Sequence, residues 1–240
     1  MPIDYSIIIP AYNEEDYLAT TLHALQEAMP QIALSGEIIV VDNNCSDRTA
    51  AIAEEQGAIV VFETINQISR ARNAGAKAAQ GRYLIFVDAD TVIPHALLEQ
   101  ALINLESGDI IGGGACVSGD IPLHFSMQYL LNFWNFISIQ TRSAAGSFIY
   151  CQREAFETIG GFSEAVYASE EIWLSRSLKK LGKKRKQSFN IIKQPPVITS
   201  MRKIQWYSPL RIYLYVLLLA VFPFTVRIKS LCTLWYRRPS

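Results

Sequence analysis

Tyr83-Leu84-Ile85-Phe86-Val87-Asp88-Ala89-Asp90 decides the fold. Five consecutive apolar residues followed at once by two carboxylates read as a fully buried strand that opens into a polar site. Immediately before it, Ser69 to Gln80 is an Ala-rich helical pattern, with Gly81 as the expected C-terminal cap. Ala58 to Phe62 reads as a strand, preceded by a helix from about Asp47 and by a strand from Glu37 to Val41 that runs into Asp42. The first helix shows in Leu18, Leu22, Leu25 and Met29, with Asn13 as its expected cap and Glu14, Glu15 and Asp16 at the positive end of its dipole. The first strand is Ser6 to Ile9, ended by Pro10. Alternation of short apolar runs with helical patterns predicts βα units on a mostly parallel, Rossmann-like sheet flanked by helices. Asp42 and Asp88 then both stand at carboxyl ends of strands, where open α/β sheets bind ligands, so one shared site is expected.

Downstream, 94–105 reads as a helix and 108–117 as a strand containing Gly112-Gly113-Gly114. That triplet is no dinucleotide fingerprint; a bulge or close backbone approach explains it at least as well as ligand contact. Phe148 to Cys151 reads as a strand, Glu154 to Ile159 as a short helix ended by Gly160-Gly161, and Glu170 to Leu181 as a longer helix.

The chain has 240 residues, half of them hydrophobic, which excludes a disordered or low-complexity protein and suffices for a large core. Its four cysteines, at 45, 116, 151 and 232, form no CxxC pair, so neither a disulfide framework nor a zinc site is expected and a reducing cytoplasm fits. The opening residues, with Asp4 inside a short apolar run, do not read as a signal peptide. Zero net charge conceals an asymmetry: all 22 acids precede residue 172, against seven bases there, and the remaining 15 Lys and Arg follow it. A basic segment without acids is drawn to a polyanion or an anionic lipid surface; as a bland alternative it is a solvated face.

Asp88 and Asp90, two apart on extended backbone, present hard oxygen donors to the same side, suited to Mg²⁺ or Mn²⁺ held jointly with a diphosphate. Paired capping acids ahead of Pro94 are the plain alternative. Several other segments keep company with this pair. Ser6 to Glu15, Val40 to Thr49, Ala71-Arg72-Asn73-Ala74-Gly75 with Asp88-Ala89-Asp90, Gly146 to Phe162, and Ser169-Glu170-Glu171 stand in the order and spacing of five family motifs. On these the chain resembles the family 2 glycosyltransferases of GT-A fold, over roughly residues 5–203. The resemblance implies an inverting transfer of sugar from a nucleotide-diphosphate donor to an acceptor hydroxyl, with a divalent metal on the diphosphate. By that likeness Pro10, Ala11, Tyr12 and Glu14 line the nucleotide pocket, Asp42 accepts a hydrogen bond from the base, and Arg72 faces the donor. Asp88 touches ribose or metal, Ala89 lies in the nucleotide-sugar site, Asp90 binds metal, and Arg202, within Thr199-Ser200-Met201-Arg202, meets the diphosphate. Glu171 is the general base by its match to the second acid of the family's pair, with Glu170 as the alternative; Glu where Asp is usual changes the reach by one methylene. His23, His95 and His124 precede the acceptor segment and read as surface or packing residues, and the lack of QxxRW disfavours a processive synthase.

Two rivals follow: a nucleotide-sugar binder without turnover, and a sugar-1-phosphate nucleotidylyltransferase. The latter wants a Gly-rich basic loop after the first strand, where Pro10-Ala11-Tyr12-Asn13 stands. The expected division is a catalytic domain over 1–205 and an apolar, basic appendage over 206–240. In the appendage, Ile212 to Val226 carries no charge and is interrupted by Pro223. At fifteen residues it falls short of the roughly 20 needed for a crossing, and suits an interfacial or re-entrant helix or a hairpin packed on the domain or a second subunit. Trp206, Tyr207, Tyr213, Tyr215, Trp235 and Tyr236 are its expected anchors, and Lys183 to Lys186 add attraction to anionic lipid. Phe125 to Ile139 is an apolar helix that faces acceptor, lipid or core. The expectation is peripheral attachment at the cytoplasmic membrane face, a lipid-linked or glycan acceptor in cell-envelope polysaccharide synthesis, a homodimer as an option, and no nucleic-acid partner.

Overall fold

All seven side chains of β1 (Tyr5–Ala11) are buried, and successive ones leave the strand on opposite faces. Ile7 and Ile9 join one core with Leu22 and Leu25 of α1 (Leu18–Ala28) and Leu97 and Leu98 of α4 (His95–Glu106). Ile8 joins a second core with Ala71 of α3 (Ile68–Ala78) and Leu174 and Leu178 of α7 (Glu170–Arg185). β2 (Gly36–Asp42) and β4 (Tyr83–Val87) divide in the same way, Val40, Ile85 and Val87 to the first core and Ile39, Val41, Leu84 and Phe86 to the second. The sheet is therefore a hydrophobic septum with helices on both sides, and its continuous apolar strands follow from burial on both faces.

The structure is a computed structural model that describes residues 2–202, 206, 211, 214, 218, 222–232 and 236. β1 pairs in parallel with β2 and β4, and β2 with β3 (Ile59–Phe62). Past β4 the direction reverses: β7 (Phe148–Gln152) runs antiparallel to β4 and to β6 (Ile110–Gly119). β8 (Ser188–Thr199) lies parallel to β6 and antiparallel to the two-residue β5 (Thr91–Val92), giving the order β3-β2-β1-β4-β7-β6-β8-β5. α2 (Thr49–Glu55), α5 (Phe125–Thr141) and α6 (Arg153–Thr158) complete the layers. The mixed α/β sheet flanked by helices is the expected fold class.

Several local expectations are corrected. Pro10 does not end β1, which continues to Ala11. Asn13 does not cap α1, which starts at Leu18; instead it takes a left-handed conformation (φ 53°) and its side-chain oxygen accepts the Ser46 N–H at 2.8 Å. Gly81 is not a left-handed cap: α3 ends earlier, and a Cβ at Gly81 would lie 2.5 Å from the Tyr5 carbonyl carbon, so close backbone approach is what demands glycine. The glycines of β6 are a backbone approach too, packed against β7 and β8 in mid-sheet.

Described residues of the 206–240 segment pack on the 1–205 domain. Val226 and Cys232 are buried against Val166 and Ala168, the Tyr167 N–H donates to the Val226 carbonyl at 2.6 Å, and Lys229 Nζ donates to the Asn66 carbonyl at 2.7 Å. Most of the uncharged run 212–226, and Tyr207, Tyr213, Tyr215 and Trp235, lie outside the described residues. Among the described residues no helix is long and apolar enough to cross a membrane.

Candidate functional site

The carboxyl ends of β1 and β4 open into a cavity of about 220 Å³. Pro10, Ala11, Tyr12 and Glu14 border it from the β1 side, and Asp88, Ala89 and Asp90 from β4. Arg72, Gly146, Ser147, Glu170 and Glu171 form its second wall, and Arg202, Trp206 and Tyr236 close it from the C-terminal segment. Every expected site residue but one thus meets in a single cavity. Asp42 is the exception: its carboxylate accepts the Cys45 N–H at 2.7 Å, closing its own turn, and the neighbouring Asn43 lines the cavity instead.

The loop after β1 is buttoned to the loop after β2. The Asn13 N–H meets Cys45 Sγ at 3.2 Å, the Glu14 N–H donates to Thr49 Oγ1 at 2.7 Å, and the Glu15 N–H to Asp47 at 3.2 Å. Burial raises the Cys45 thiol to about 12, so it remains protonated and serves packing. The acidic turn after β4 is held from behind: Thr21 of α1 donates to the Ala89 carbonyl at 2.8 Å, and the Ser200 N–H donates to the Asp90 carbonyl at 3.1 Å. β5 and the end of β8, joined through Thr91 and Thr199 hydroxyls 3.0 Å apart, brace the same turn.

Two arginines organise the charges. Arg72, 1% exposed, donates to Glu170 Oε1 at 2.6 Å, to Asp88 Oδ1 at 2.8 Å and to the Gly146 carbonyl at 3.0 Å. Burial opposes its charge, but Asp88, Glu170 and Glu171 outweigh that and raise its pKa. Arg202 grips both oxygens of Glu14 at 2.6 and 2.7 Å and reaches Asp90 Oδ2 at 3.0 Å, its guanidinium stacked 4.4 Å from the Tyr17 ring and 5.4 Å from Trp206. It too is raised, against burial, by Glu14 and Asp90. Glu171 differs from its neighbour. Glu170 is committed to Arg72, whereas Glu171 keeps some exposed area while protein atoms crowd its carboxylate. Burial first, then the charge of Glu170, push its pKa up to about 8.

Sequence reasoning did not single out Asn43, Ser147, Trp206 or Tyr236 as site residues. The first two lie within the quoted motifs, and a hydroxyl beside Gly146 was the available signal. Trp206 and Tyr236 were expected as membrane anchors; here they are cavity walls, because the Tyr236 ring packs against Tyr167 with centroids 6.0 Å apart and its hydroxyl accepts the Ile68 N–H at 3.5 Å.

The family model for glycosyl transferase family 2 matches residues 6–160. The chain belongs to that family. Over 191 residues it is 28% identical to the low-salt glycan biosynthesis hexosyltransferase Agl6 of Haloferax volcanii, covering 75% of this chain and 46% of that protein. Over 116 residues it is 33% identical to the undecaprenyl-phosphate 4-deoxy-4-formamido-L-arabinose transferase of Pseudomonas fluorescens, covering 45% and 34%. The chain therefore spans less than half the length of these curated relatives. Among solved structures, glucosyl-3-phosphoglycerate synthase from Mycobacterium tuberculosis, in complex with Mn²⁺, UDP and glucosyl-3-phosphoglycerate, superposes with a TM-score of 0.63 at 18% identity, covering 94% of this chain and 80% of that one. That likeness shows the GT-A fold.

The donor set admits a divalent cation on terms the structure defines. Among the described residues no group of three or more His, Cys, Asp or Glu is placed to hold a metal by itself. Even with Glu171 protonated, the cavity carries four carboxylates (Glu14, Asp88, Asp90, Glu170) against two guanidinium groups, so an anion entering alone meets a negative excess. Two hard-oxygen ligands with the rest of the shell from phosphate and water suit Mg²⁺ or Mn²⁺. Buried polar atoms without a partner, Ser147 Oγ and Glu170 Oε2, belong to residues of this same wall, as an incomplete polar site requires.

Proposed function

We propose that this chain is a metal-dependent, inverting glycosyltransferase acting from a nucleotide-diphosphate sugar. The observation that carries it is the meeting of Asp88, Asp90, Arg202 and a weakly acidic Glu171 in one cavity at the strand ends. Pro10, Ala11 and Tyr12 form the bed for the nucleoside, with Tyr12 packing on the base. Asp42 is committed to its turn, so contact with the base through its carboxylate is the least supported of the expected roles. Asp88 and Asp90 would hold the cation, which offsets the charge of the leaving diphosphate. Arg202 lies against Asp90 and is placed to pass one N–H to a phosphate oxygen.

The acceptor hydroxyl attacks the anomeric carbon from the face opposite the diphosphate. The C–O bond to the phosphate breaks with its electron pair, configuration inverts, and the hydroxyl proton passes to the Glu171 carboxylate. A base with so raised a pKa accepts a proton readily, and its ionised fraction grows as pH rises toward about 8. Arg72 fixes Glu170 and leaves Glu171 as the carboxylate for the proton. The named relatives of glycan and undecaprenyl-phosphate chemistry favour a lipid-linked acceptor at the membrane.

The test is a thermal-shift screen with UDP-, GDP- and dTDP-sugars, with and without Mn²⁺, followed by donor turnover. The expected result is a Mn²⁺-dependent shift with one donor and release of nucleoside diphosphate. A shift without release points to the silent binder, and release of pyrophosphate from nucleoside triphosphate and sugar phosphate to the nucleotidylyltransferase.

A further inference from the structure

The α5 helix presents two faces of opposite character. Inward, Met127 is buried, Leu131 and Trp134 pack on the first core, Ile139 packs on the second, and Asn135 exchanges two 2.9 Å hydrogen bonds with the Val117 backbone. These contacts lock the rotation of the helix. Outward, Phe125, Tyr129, Phe133 and Phe136 recur at four, four and three residues and are 78, 73, 51 and 56% exposed. Helices facing water carry charges on that side, yet α5 has none, and no acid occurs between Ile121 and Arg153. A continuous aromatic stripe of this kind on a protein surface marks an interaction site.

The charges beside the stripe identify its partner. Arg142 follows the helix directly, and Lys179 of α7 donates to the Thr141 carbonyl at 2.6 Å. Arg176 and Arg142 are near enough to Lys179 that, after burial, their charges depress its pKa. None of the three has a carboxylate partner among the described residues, and Trp173, 39% exposed, lies under Arg176 at 6.0 Å. Aromatic side chains bordered by unneutralised bases match the boundary between acyl chains and anionic headgroups. The chain then passes from this helix directly to Gly146 and Ser147 in the cavity wall.

We propose that the outward face of α5, with Arg142, Arg176 and Lys179, is a docking surface for an anionic lipid bilayer. It deepens the reading of a membrane-proximal acceptor by naming the surface that seats the protein, and assigns that task to the middle of the chain instead of its C-terminal end. Phe125 and Phe133 enter the headgroup region, and the cation cluster holds the end of the helix nearest the cavity.

The test is flotation of the full chain with phosphatidylcholine vesicles, with and without phosphatidylglycerol. Binding is expected with phosphatidylglycerol, weakening but not vanishing with salt. The exposed pair Phe125→Ser with Phe133→Ser is expected to lose about tenfold or more in partitioning, and Arg142→Gln with Arg176→Gln about tenfold together with most of the salt dependence. Melting temperature and donor binding should stay unchanged in both, which separates this surface from the transfer site; the assay contains no donor, so its failure leaves glycosyl transfer standing. The proposal is overturned if the wild-type chain does not float. It is overturned equally if the Phe variant floats as well as wild type, which moves binding to the basic C-terminal segment. A concentration-dependent dimer abolished by the Phe pair, without vesicle binding, would assign the stripe to a second copy and overturn it as well.

Discussion

Arg72 and Arg202 line one cavity and make similar bonds, yet they differ in depth. Arg72 joins the two halves of the molecule: it belongs to α3, its acids belong to β4's end and to α7, and Glu170 is 98 residues away in sequence. Arg72 is 1% exposed, with the Phe162 ring 5.2 Å from the guanidinium. Arg202 ties the far end of the chain back to Glu14, 188 residues earlier, and keeps 8% of its side chain exposed where Arg72 keeps 1%. A buried pair deprived of one member leaves a charge with no solvent, whereas a pair at a cavity edge can rehydrate. Arg72 is the more deeply sealed of the two, and Arg202 keeps a small path to water.

The largest expected effect breaks that comparison directly. Arg72→Met should cost about 3–5 kcal/mol in denaturant unfolding, because Glu170 is left buried and unpaired. Arg202→Met should cost less, about 1–3 kcal/mol, and show mainly as weakened donor binding. Equal losses in the two variants would mean that both arginines are fixtures and that Arg202 has no second role.

Next in size is the contrast between adjacent acids. Glu171→Gln should retain donor affinity and lower transfer by about 10²-fold or more. Its stability should hold or rise, since a desolvated carboxyl becomes a neutral amide. Glu170→Gln should instead destabilise the fold, because Arg72 loses its buried carboxylate and keeps only the more exposed Asp88. Turnover that survives Glu171→Gln but not Glu170→Gln, at equal stability, would shift the base by one residue. Asp90→Asn sharpens the Arg202 side: the Mn²⁺-dependent part of the donor-induced thermal shift should disappear while the fold persists. An undiminished Mn²⁺ effect there moves the cation elsewhere.

The same contrast explains what was legible in the sequence. β4 and its acidic end are found residue for residue, because five apolar side chains buried on two faces need no distant partner to be recognised. β8 was not anticipated. It contains Lys193, Gln194, Pro195 and Pro196, which break any strand pattern. They are accommodated because the pairing jumps from Ala115 with Ile192 to Val117 with Val197, so the four lie outside the β6 ladder. The end of β8 is what brings Arg202 to Glu14, and this contact depends on tertiary closure alone. Motif residues could be placed at strand ends, but their pairing could not be read: nothing local shows that Arg72 chooses Glu170 over Glu171. For the same reason the contacts of Tyr236 with Tyr167 and the cavity could not be read.

The smallest effect is a pH dependence, and it reports the division of labour between the two glutamates. Burial and the neighbouring charge of Glu170 hold the Glu171 proton until about pH 8. The base works only when ionised, so kcat/KM, which reports the free protein, should climb with pH by about tenfold per unit and level off near that value. Stability runs the other way. The folded protein binds this proton more tightly than the unfolded chain, whose glutamate titrates near its ordinary value of 4.5. Between 4.5 and about 8 the native state therefore carries the extra proton, and the unfolding free energy should fall as pH rises through that window. Glu171→Gln should remove both slopes together. If the activity limb survives in Glu171→Gln, the titrating group is another, and the raised pKa belongs to the packing around α7 and not to the transfer reaction.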